Sequence, residues 1–222
     1  MKKTLLAWSS GKDSAWTLHC LLKASEVRVV GLLTTFNAAF DRVAMHAVRR
    51  ELVEAQAESV GLPLQAVPLP WPCSNQDYER IMGEVSRSAA AQGVEAIAFG
   101  DLFLADIRAY RERQLAGTGL EPLFPLWQIP TDELAREMIR SGLRAKLTCV
   151  DPKVLAPDFA AREFDARLLD DLPKNVDPCG ENGEFHSFVY DGPMFRKPVA
   201  IRTGEIVERD GFVFADLERV RE

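Results

Sequence analysis

The sequence predicts an α/β fold in which a doubly wound parallel sheet is followed by a smaller, mixed α+β C-terminal domain. Apolar runs of strand length alternate with helical spacing as far as Phe99, in the order βαβαβαβ. This alternation favours right-handed crossovers, with helices on both faces of one sheet. From Asp177 onwards glycines cluster, and the pattern changes to short strands and turns. We expect a boundary near Ile129-Pro130, with domains over 1–129 and 130–222.

The elements of the first half are bounded by changes of hydrophobic period and by glycine or proline stops. The expected strands are the apolar runs at 4–8, 27–34, 64–67 and 94–99. The expected helices carry apolar residues at helical spacing, at 15–22, 45–60 and 74–92. The segment Pro68–Pro72 is too rich in proline for a helix or a central strand, so we expect a stiff loop there.

The second half begins with a polar, arginine-bearing helix over 106–114. An apolar segment with two prolines follows at 120–127 and suits the edge of the sheet. Thr131 then begins a helix with acidic residues in its first turn, which Gly142 ends. The remaining expected elements are a strand over 143–150, a short helix over 164–172 and a hairpin turn at Thr203-Gly204-Glu205.

The composition is that of an ordinary globular protein, with 47% apolar and 27% charged residues. No apolar stretch approaches the ~20 residues of a membrane helix, so we expect a cytoplasmic protein without a membrane partner. The net charge of −6 argues against nucleic acid as a partner. The four cysteines form no CxxC pair, which argues against a zinc site or a disulfide framework. Monomer and homodimer are both left open.

The segment Ser9–Ser14 joins the first strand to the first helix through a turn of small residues that includes a lysine. Backbone N–H groups at a helix start are unpaired, and the helix dipole adds positive charge there. Small side chains let an anion reach the backbone, and Lys12 adds a full charge. The spacing differs from that of a Walker A loop. The segment therefore predicts a phosphate site. The simpler alternative is that it is only a helix cap and turn.

This segment resembles the SGGKDS signature of the PP-loop ATP pyrophosphatases, with Ser10 in the place of the first glycine. Enzymes of that superfamily cleave ATP between the α and β phosphates. The resemblance implies a Rossmann-like domain of the PP-loop type, with ATP and Mg²⁺ as ligands. Lys12 would neutralise charge as pyrophosphate leaves. The residues implied to hold the triphosphate are Ser9, Ser10, Gly11, Lys12, Asp13 and Ser14.

A second informative stretch runs from Asp177 to Phe188. Between Gly180 and His186 it packs two carboxylates, an amide, a histidine and two glycines. Such density is typical of a loop that presents polar groups to a ligand, and an unperturbed histidine titrates near neutral pH. On residue types alone, a glycine-rich turn with solvated glutamates fits as well.

The second stretch resembles the C-terminal G-E-x-G-E-[FY] signature of the diphthine–ammonia ligase family, a branch of the PP-loop superfamily. Gly100-Asp101 and the segments 110–113 and 119–127 look like that family's central motifs. The chain departs from the more familiar members after the signature, where His186-Ser187 takes the place of an acidic residue and threonine. The departure leaves the acceptor substrate open, but not the ATP chemistry.

By this resemblance, adenine and ribose lie against Thr34 and Thr35, and Gly100 leaves room for the nucleotide. Mg²⁺ bridges the phosphates, with Asp13 or Asp101 as oxygen ligands. The residues expected to act in catalysis are Lys12, Glu181, Glu184 and His186. The residues expected to meet the acceptor are Tyr110, Arg113, Glu181, Asn182 and Glu184. For Tyr110 and Arg113, a solvated helix face is the alternative.

The function that the resemblance implies is that of an ATP-dependent ligase. Such an enzyme adenylates a carboxylate, on a small molecule or on a protein, and passes it to ammonia, which yields an amide, AMP and pyrophosphate. A PP-loop RNA-modifying enzyme of the thiolase type is one alternative, although it usually needs a cysteine pair or a zinc module. A non-catalytic, ATP-binding regulatory module is the other. His46 is expected to begin a helix rather than to catalyse, and Trp71 either walls a substrate pocket or covers the core.

Overall fold

The computed structural model describes residues 1–43 and 47–220, and it confirms an α/β fold with a mostly parallel sheet and a separate antiparallel sheet. The strands are β1 (Lys2–Ala7), β2 (Val27–Asn37), β3 (Arg42–Val43), β4 (Leu64–Leu69), β5 (Ala96–Ala98), β6 (Glu121–Leu123), β7 (Arg144–Val150), β8 (Phe185–Asp191), β9 (Ile201–Arg209) and β10 (Phe212–Arg219). The helices are α1 (Lys12–Lys23), α2 (Arg50–Val60), α3 (Asn75–Ala91), α4 (Ala105–Leu115), α5 (Thr131–Arg140) and α6 (Ala166–Asp171), with a 3₁₀ turn at Pro157–Phe159. Within the described ranges, no helix is both long and apolar enough to cross a membrane.

The first sheet has β1 at its centre, between β2 and β5. β4 pairs with β2 and β6 pairs with β5, and all of these strands run parallel. β3 adds a short antiparallel pairing at the end of β2. Because parallel strands end at the same edge of a sheet, the C-terminal ends of β1, β2 and β5 meet. The segment Ser9–Ser14 lies at that edge. It comprises the turn after β1 and the first turn of α1, and we call it the loop Ser9–Ser14.

Neighbouring residues of the central strand pack against different helical layers. Leu6 joins the hydrophobic cluster that contains Leu18 of α1 and Leu52 of α2. Leu5 joins a second cluster, which contains Leu115 of α4 and residues of α3. Successive side chains of a strand point to opposite faces of its sheet. Helices therefore cover both faces, which confirms the doubly wound arrangement.

The second sheet is antiparallel, with the strand order β8-β7-β10-β9. Its core is continuous with one side of the first sheet, because Leu147, Phe188 and Val213 join the cluster that contains α1 and α2. Strand β8 also contacts α1 directly. This shared core fixes the second sheet relative to the loop Ser9–Ser14. The domain boundary near Ile129-Pro130 stays a prediction.

Two local predictions are wrong. The hairpin turn lies at Asp210-Gly211, and residues 203–205 are inside β9. Asp210 and Gly211 have φ of 52° and 80°, the left-handed values of a two-residue turn for which Asp-Gly is a preferred pair. Pro68, which we expected in a loop, lies in β4 opposite Phe36. Within the described residues β4 bonds to β2 alone, and proline is tolerated on such an edge strand.

Candidate active site

A cleft of about 1170 Å³ opens at the C-terminal edge of the parallel sheet. It is lined by the loop Ser9–Ser14, by Gly100-Asp101, by residues between Cys179 and Ser187, and by helices α3 and α4. Doubly wound folds bind their ligands at this edge of the sheet. The structure thus brings the two informative stretches of the sequence into one cleft.

The cleft holds the start of helix α1, whose N-cap residue is Gly11. The Ser14 hydroxyl donates to the Gly11 carbonyl at 2.9 Å and closes the first turn. Gly100 packs so close to this turn that a Cβ would lie 3.0–3.1 Å from backbone atoms of Asp13 and Ser14. Gly100 is therefore needed for the contact between the sheet edge and the helix start, a different reason from the expected room for a nucleotide.

Ser10 adopts a left-handed backbone conformation, with φ of 72°, that glycine adopts without strain. Its side chain is fully buried, and Oγ has no hydrogen-bond partner within the described residues. Its carbonyl accepts hydrogen bonds from Val189 N and from Gln56 Nε2, both at 3.0 Å. Ser10 thus shapes the loop through its backbone, while its hydroxyl group is enclosed by protein.

We expect Ser10→Gly to raise the free energy of unfolding by about 1 kcal/mol, because a left-handed serine is strained and its buried hydroxyl is unpaired. The greater freedom of glycine in the unfolded chain offsets part of the gain. Urea denaturation of the variant and the wild type measures the difference. Ser9→Gly is the control, since Ser9 is not in the left-handed region. An equal gain in both variants would contradict strain at Ser10.

Lys12 is almost fully buried, and its ammonium group contacts both informative stretches. Nζ donates to Asp13 Oδ2 at 2.9 Å and to the backbone carbonyl of Cys179. The same nitrogen lies 5.7 Å and 5.4 Å from the ring centroids of Phe164 and Phe185. Burial alone would lower the pKa of Lys12, but the Asp13 carboxylate raises it above its ordinary value. Lys12 therefore keeps its positive charge at neutral pH.

Among the carboxyl groups that line the cleft, those of Asp13, Asp101 and Glu181 influence one another's charge. Burial raises the pKa of Asp101, against the opposing charge of Arg111 and with the help of Asp13. Burial also raises the pKa of Glu181 to about 7, and the charges of Asp13 and Asp101 add to this. Within the described residues, Asp13 Oδ1 and Asp101 Oδ2 are buried without a hydrogen-bond partner. Arg111 Nε lies 3.7 Å from Asp101 Oδ2.

These carboxylates suit a magnesium ion that is bound in part by phosphate. Across residues 1–43 and 47–220, no group of three or more histidine, cysteine, aspartate or glutamate side chains is placed to hold a metal by itself. Mg²⁺ usually takes only one or two carboxylates, together with substrate phosphates and water. The oxygens of Asp13 and Asp101 that accept no hydrogen bond within the described residues fit that kind of donor set.

The segment after Asp177 is organised by two carboxylates that point into it. Asp177 Oδ1 accepts from the backbone N–H groups of Cys179 at 2.8 Å and Glu181 at 3.2 Å. Glu184 is 5% exposed. Its oxygens accept from Asp177 N at 2.9 Å, from Asn182 N at 3.0 Å and from Asn182 Nδ2 at 2.9 Å. Glu184 and Asn182 are thus engaged with their own segment, which differs from the expectation that they face the acceptor.

We expect Glu184→Gln to lower the free energy of unfolding by about 1–3 kcal/mol, because its new NH₂ group would face a backbone N–H that the carboxylate now accepts from. Urea denaturation at pH 7 measures the loss. Glu205→Gln, on the exposed strand β9, is the matched control and should leave stability unchanged. If Glu184→Gln were as stable as the wild type, its carboxylate would not be the group that holds the segment.

Glu181 and His186 both line the cleft, with their proton affinities moved in opposite directions. Glu181 Oε1 accepts from Leu102 N at 2.8 Å, and the pKa of this carboxyl is raised to about 7. Burial, with the charge of Lys12, lowers the pKa of His186 to about 4. The glutamate is therefore the group that titrates near neutral pH. The histidine, which we expected to titrate there, is uncharged.

The remaining predicted residues divide between the cleft and the core. Thr35, Tyr110 and Arg113 line the cleft. Thr34 is buried instead, and its hydroxyl donates to the Trp8 carbonyl at 2.7 Å. Its hydroxyl group is thus used within the sheet.

For Trp71 and His46, too, the sequence offered alternative roles. Trp71 is 64% exposed and packs edge to face against Phe40, with ring centroids 5.8 Å apart. It therefore does not cover the core. His46 lies outside the described residues.

We predicted no role for Gln56, a buried polar residue of α2. It accepts a hydrogen bond from Trp8 Nε1 at 2.8 Å, and its Nε2 donates to the carbonyls of Ser10 and Val189. A signal for it exists, because Gln56 follows Leu52 by four residues on the apolar face of the helix. A polar side chain at such a position needs hydrogen-bond partners.

A doubly wound sheet, a turn of small residues at a helix start, and a buried lysine beside crowded carboxylates define an α/β protein of the PP-loop type. The chain belongs to the diphthamide synthase family. The model of the diphthamide synthase N-terminal domain matches residues 1–122, and that of the C-terminal domain matches residues 130–222.

Relatives of known name resemble the chain over nearly its whole length, and each is named diphthine–ammonia ligase. The protein of Bos taurus is 26% identical over 235 residues, which cover 96% of this chain and 88% of the relative. The Homo sapiens protein is 27% identical with the same coverage. The Danio rerio protein is 29% identical over 234 residues, which cover 96% of this chain and 91% of the relative. The family is thus one of ligase enzymes.

Proposed function

We propose that this enzyme uses ATP to convert a carboxylate into an amide with ammonia, releasing AMP and pyrophosphate. The observation that carries the proposal is the position of Lys12. It is bonded to Asp13 of the phosphate loop and to the Cys179 carbonyl of the C-terminal segment, in the same cleft as Glu181. The positive charge of Lys12 can therefore contact both a nucleotide phosphate and an acceptor bound in this cleft.

The triphosphate is held by the start of α1. The backbone N–H groups of the loop and the positive end of the helix dipole attract its oxygens. The Lys12 ammonium stabilises the charge that develops as pyrophosphate leaves. Mg²⁺, when bound, would be held by Asp13 and Asp101, and it would supply further charge neutralisation at the phosphates.

On the acceptor side of the reaction, Glu181 acts as the general base. An oxygen of the acceptor carboxylate attacks the α phosphorus, and the bond to pyrophosphate breaks. Ammonia then attacks the activated carbonyl carbon, its proton passes to the Glu181 carboxylate, and AMP leaves. A base with a pKa of about 7 is well matched to this transfer near neutral pH. Tyr110 and Arg113 would bind the acceptor, because both line the cleft on the side of α4.

The relatives' name makes diphthine, carried on a protein, the first acceptor to test. His186-Ser187 lies beside Lys12, and the proposal assigns to these two residues any difference between this chain's acceptor and that of the relatives. Ser187 Oγ accepts from Lys12 N at 3.2 Å, and His186 lines the cleft. Other carboxylates, on small molecules, are the second group to test.

The environment of the two buried cysteines, Cys149 and Cys179, does not favour thiol transfer. Cys179 Sγ donates to the Thr131 carbonyl at 3.4 Å, and burial raises the pKa of the Cys179 thiol far above its usual range. Burial also raises the pKa of Cys149 to about 12. A thiol must lose its proton to act as a nucleophile. Neither buried cysteine is suited to carry sulfur.

The test of this proposal is an analysis of nucleotide products. The enzyme is incubated with Mg²⁺, ammonium and ATP labelled with ³²P at the α phosphate, with or without a diphthine-bearing protein. We expect labelled AMP, together with pyrophosphate and an amidated acceptor, only in the complete mixture. The unmodified form of the same protein is the control acceptor. Labelled ADP as the main product would overturn the proposal.

A further inference from the structure

Gln56 makes a hydrogen-bond network whose geometry is settled by the chemistry of its partners. The indole N–H of Trp8 can only donate, so it fixes the side on which the amide oxygen lies, at 2.8 Å. The Ser10 and Val189 carbonyls can only accept, and they lie 3.0 Å and 2.6 Å from Nε2. All three contacts are satisfied in a single orientation of the amide. Gln56 itself is fully buried.

The hydrogen bonds of Gln56 join the loop Ser9–Ser14 to strand β8 of the antiparallel sheet. Ser10 is the left-handed residue of the loop, and its carbonyl also accepts from Val189 N at 3.0 Å. Val189 lies in β8, two residues after Ser187, whose hydroxyl accepts from Lys12 N. Gln56 is thus the side chain through which α2, the loop and β8 share hydrogen bonds.

The direction of the Ser10 carbonyl determines the direction of the next amide. In a trans peptide the C=O and the following N–H point to opposite sides of the chain. Because Gln56 and Val189 hold the Ser10 carbonyl inward, the Gly11 N–H points the other way. There the Gly11 N–H donates a long hydrogen bond to Ser9 Oγ, at 3.4 Å, which a bound phosphate oxygen would replace, and both Ser9 and Gly11 line the cleft.

We infer that Gln56 is a positioning residue, which aims the Gly11 N–H at a phosphate group of the bound nucleotide. The inference rests on the proposed function, because it takes the cleft to hold a nucleotide triphosphate. Gln56 touches neither substrate. It acts by holding the peptide between Ser10 and Gly11 in one orientation.

The experiment compares Gln56→Met with Ser59→Ala by titration calorimetry, using ATP and, separately, inorganic pyrophosphate. Ser59 is the matched control, because it lies on the same helix, is also buried and also bonds the C-terminal part, through the Lys197 carbonyl. We expect Gln56→Met to bind both probes at least about 10-fold more weakly, the value of one hydrogen bond to a charged group. Ser59→Ala should bind them as the wild type does. Equal affinities in the two variants would overturn the inference.

A second variant keeps the test decisive if Gln56→Met folds poorly. Gln56→Glu has the same shape, and its protonated form still donates one hydrogen bond, whereas its ionised form turns both oxygens towards carbonyls. A fully buried glutamate has a pKa of about 8–9, so its affinity for ATP, divided by that of the wild type, should fall about 10-fold or more between pH 6 and pH 10. A constant ratio would overturn the positioning role. If the wild type bound neither ATP nor pyrophosphate, the proposed function would fail and the inference with it.

Discussion

Replacing Lys12 by methionine should lower turnover about 10³-fold and weaken ATP binding as well, because a preorganised charge at the leaving phosphate is lost. The methionine side chain keeps the apolar contact with Phe164 and Phe185, so the rings stay covered. Turnover is measured by pyrophosphate release at saturating ATP, and affinity by titration calorimetry. Circular dichroism checks that the variant is folded.

Lys23→Met provides the matched control for the Lys12 variant. Lys23 is the last residue of the same helix and is exposed, so its loss removes an equal charge far from the cleft. We expect wild-type turnover from it. If Lys12→Met retained ATP affinity and turnover within about two-fold of the wild type, the proposal that this loop binds phosphate would be wrong.

Glu181→Gln should lower turnover by about 10²- to 10⁴-fold, the usual contribution of a general base. The amide oxygen of glutamine can still accept from Leu102 N, so the segment keeps its anchor. We expect ATP affinity to change little.

The pH dependence of turnover tests the role of Glu181 as a base more specifically, because the pKa of Glu181 is raised to about 7. The ratio of wild-type to variant turnover should shrink as the pH falls below about 7, where the wild-type base is protonated. Taking the ratio cancels the titration of ammonium itself, which both proteins share.

The same raised pKa makes a prediction about stability, with a definite sign. The folded protein holds a proton on Glu181 between its ordinary pKa of 4.5 and its raised value of about 7, whereas the unfolded chain has lost it. Glu181 therefore contributes stability below that window, and the contribution is lost as the pH rises through it. Glu181→Gln should remove this loss. Urea denaturation at pH 5 and pH 8 measures the effect, and an unchanged pH dependence in the variant would mean that Glu181 is not the buried acid.

Local chemistry explains which parts of this molecule the sequence could predict. The alternation of apolar period predicted the parallel sheet and its two helical layers. The small residues around Lys12 predicted a site at the start of the first helix, and the two informative stretches do line one cleft. These features depend on neighbouring residues, so they can be read from a short window of sequence.

Long-range pairing explains what the sequence could not predict. The direction of Glu184 is set by backbone N–H groups of Asp177 and Asn182, which reach it only when the turn is formed. The network of Gln56 joins residues 46 and 133 positions away along the chain. Burial raises the pKa of Glu181 and lowers that of His186. The degree of burial cannot be read from the residue type alone. The hairpin at Asp210-Gly211 differs, because an Asp-Gly pair is itself a local turn signal in the sequence.

The most direct test of the proposed reaction follows the oxygen atoms of the acceptor. If the acceptor carboxylate attacks the α phosphorus, one of its oxygens must leave on AMP when ammonia forms the amide. The acceptor is labelled with ¹⁸O in its carboxyl group, and the nucleotide products are analysed by mass spectrometry. We expect AMP that carries one ¹⁸O atom for each amide formed. AMP without the label, or label in a phosphate product instead, would contradict it.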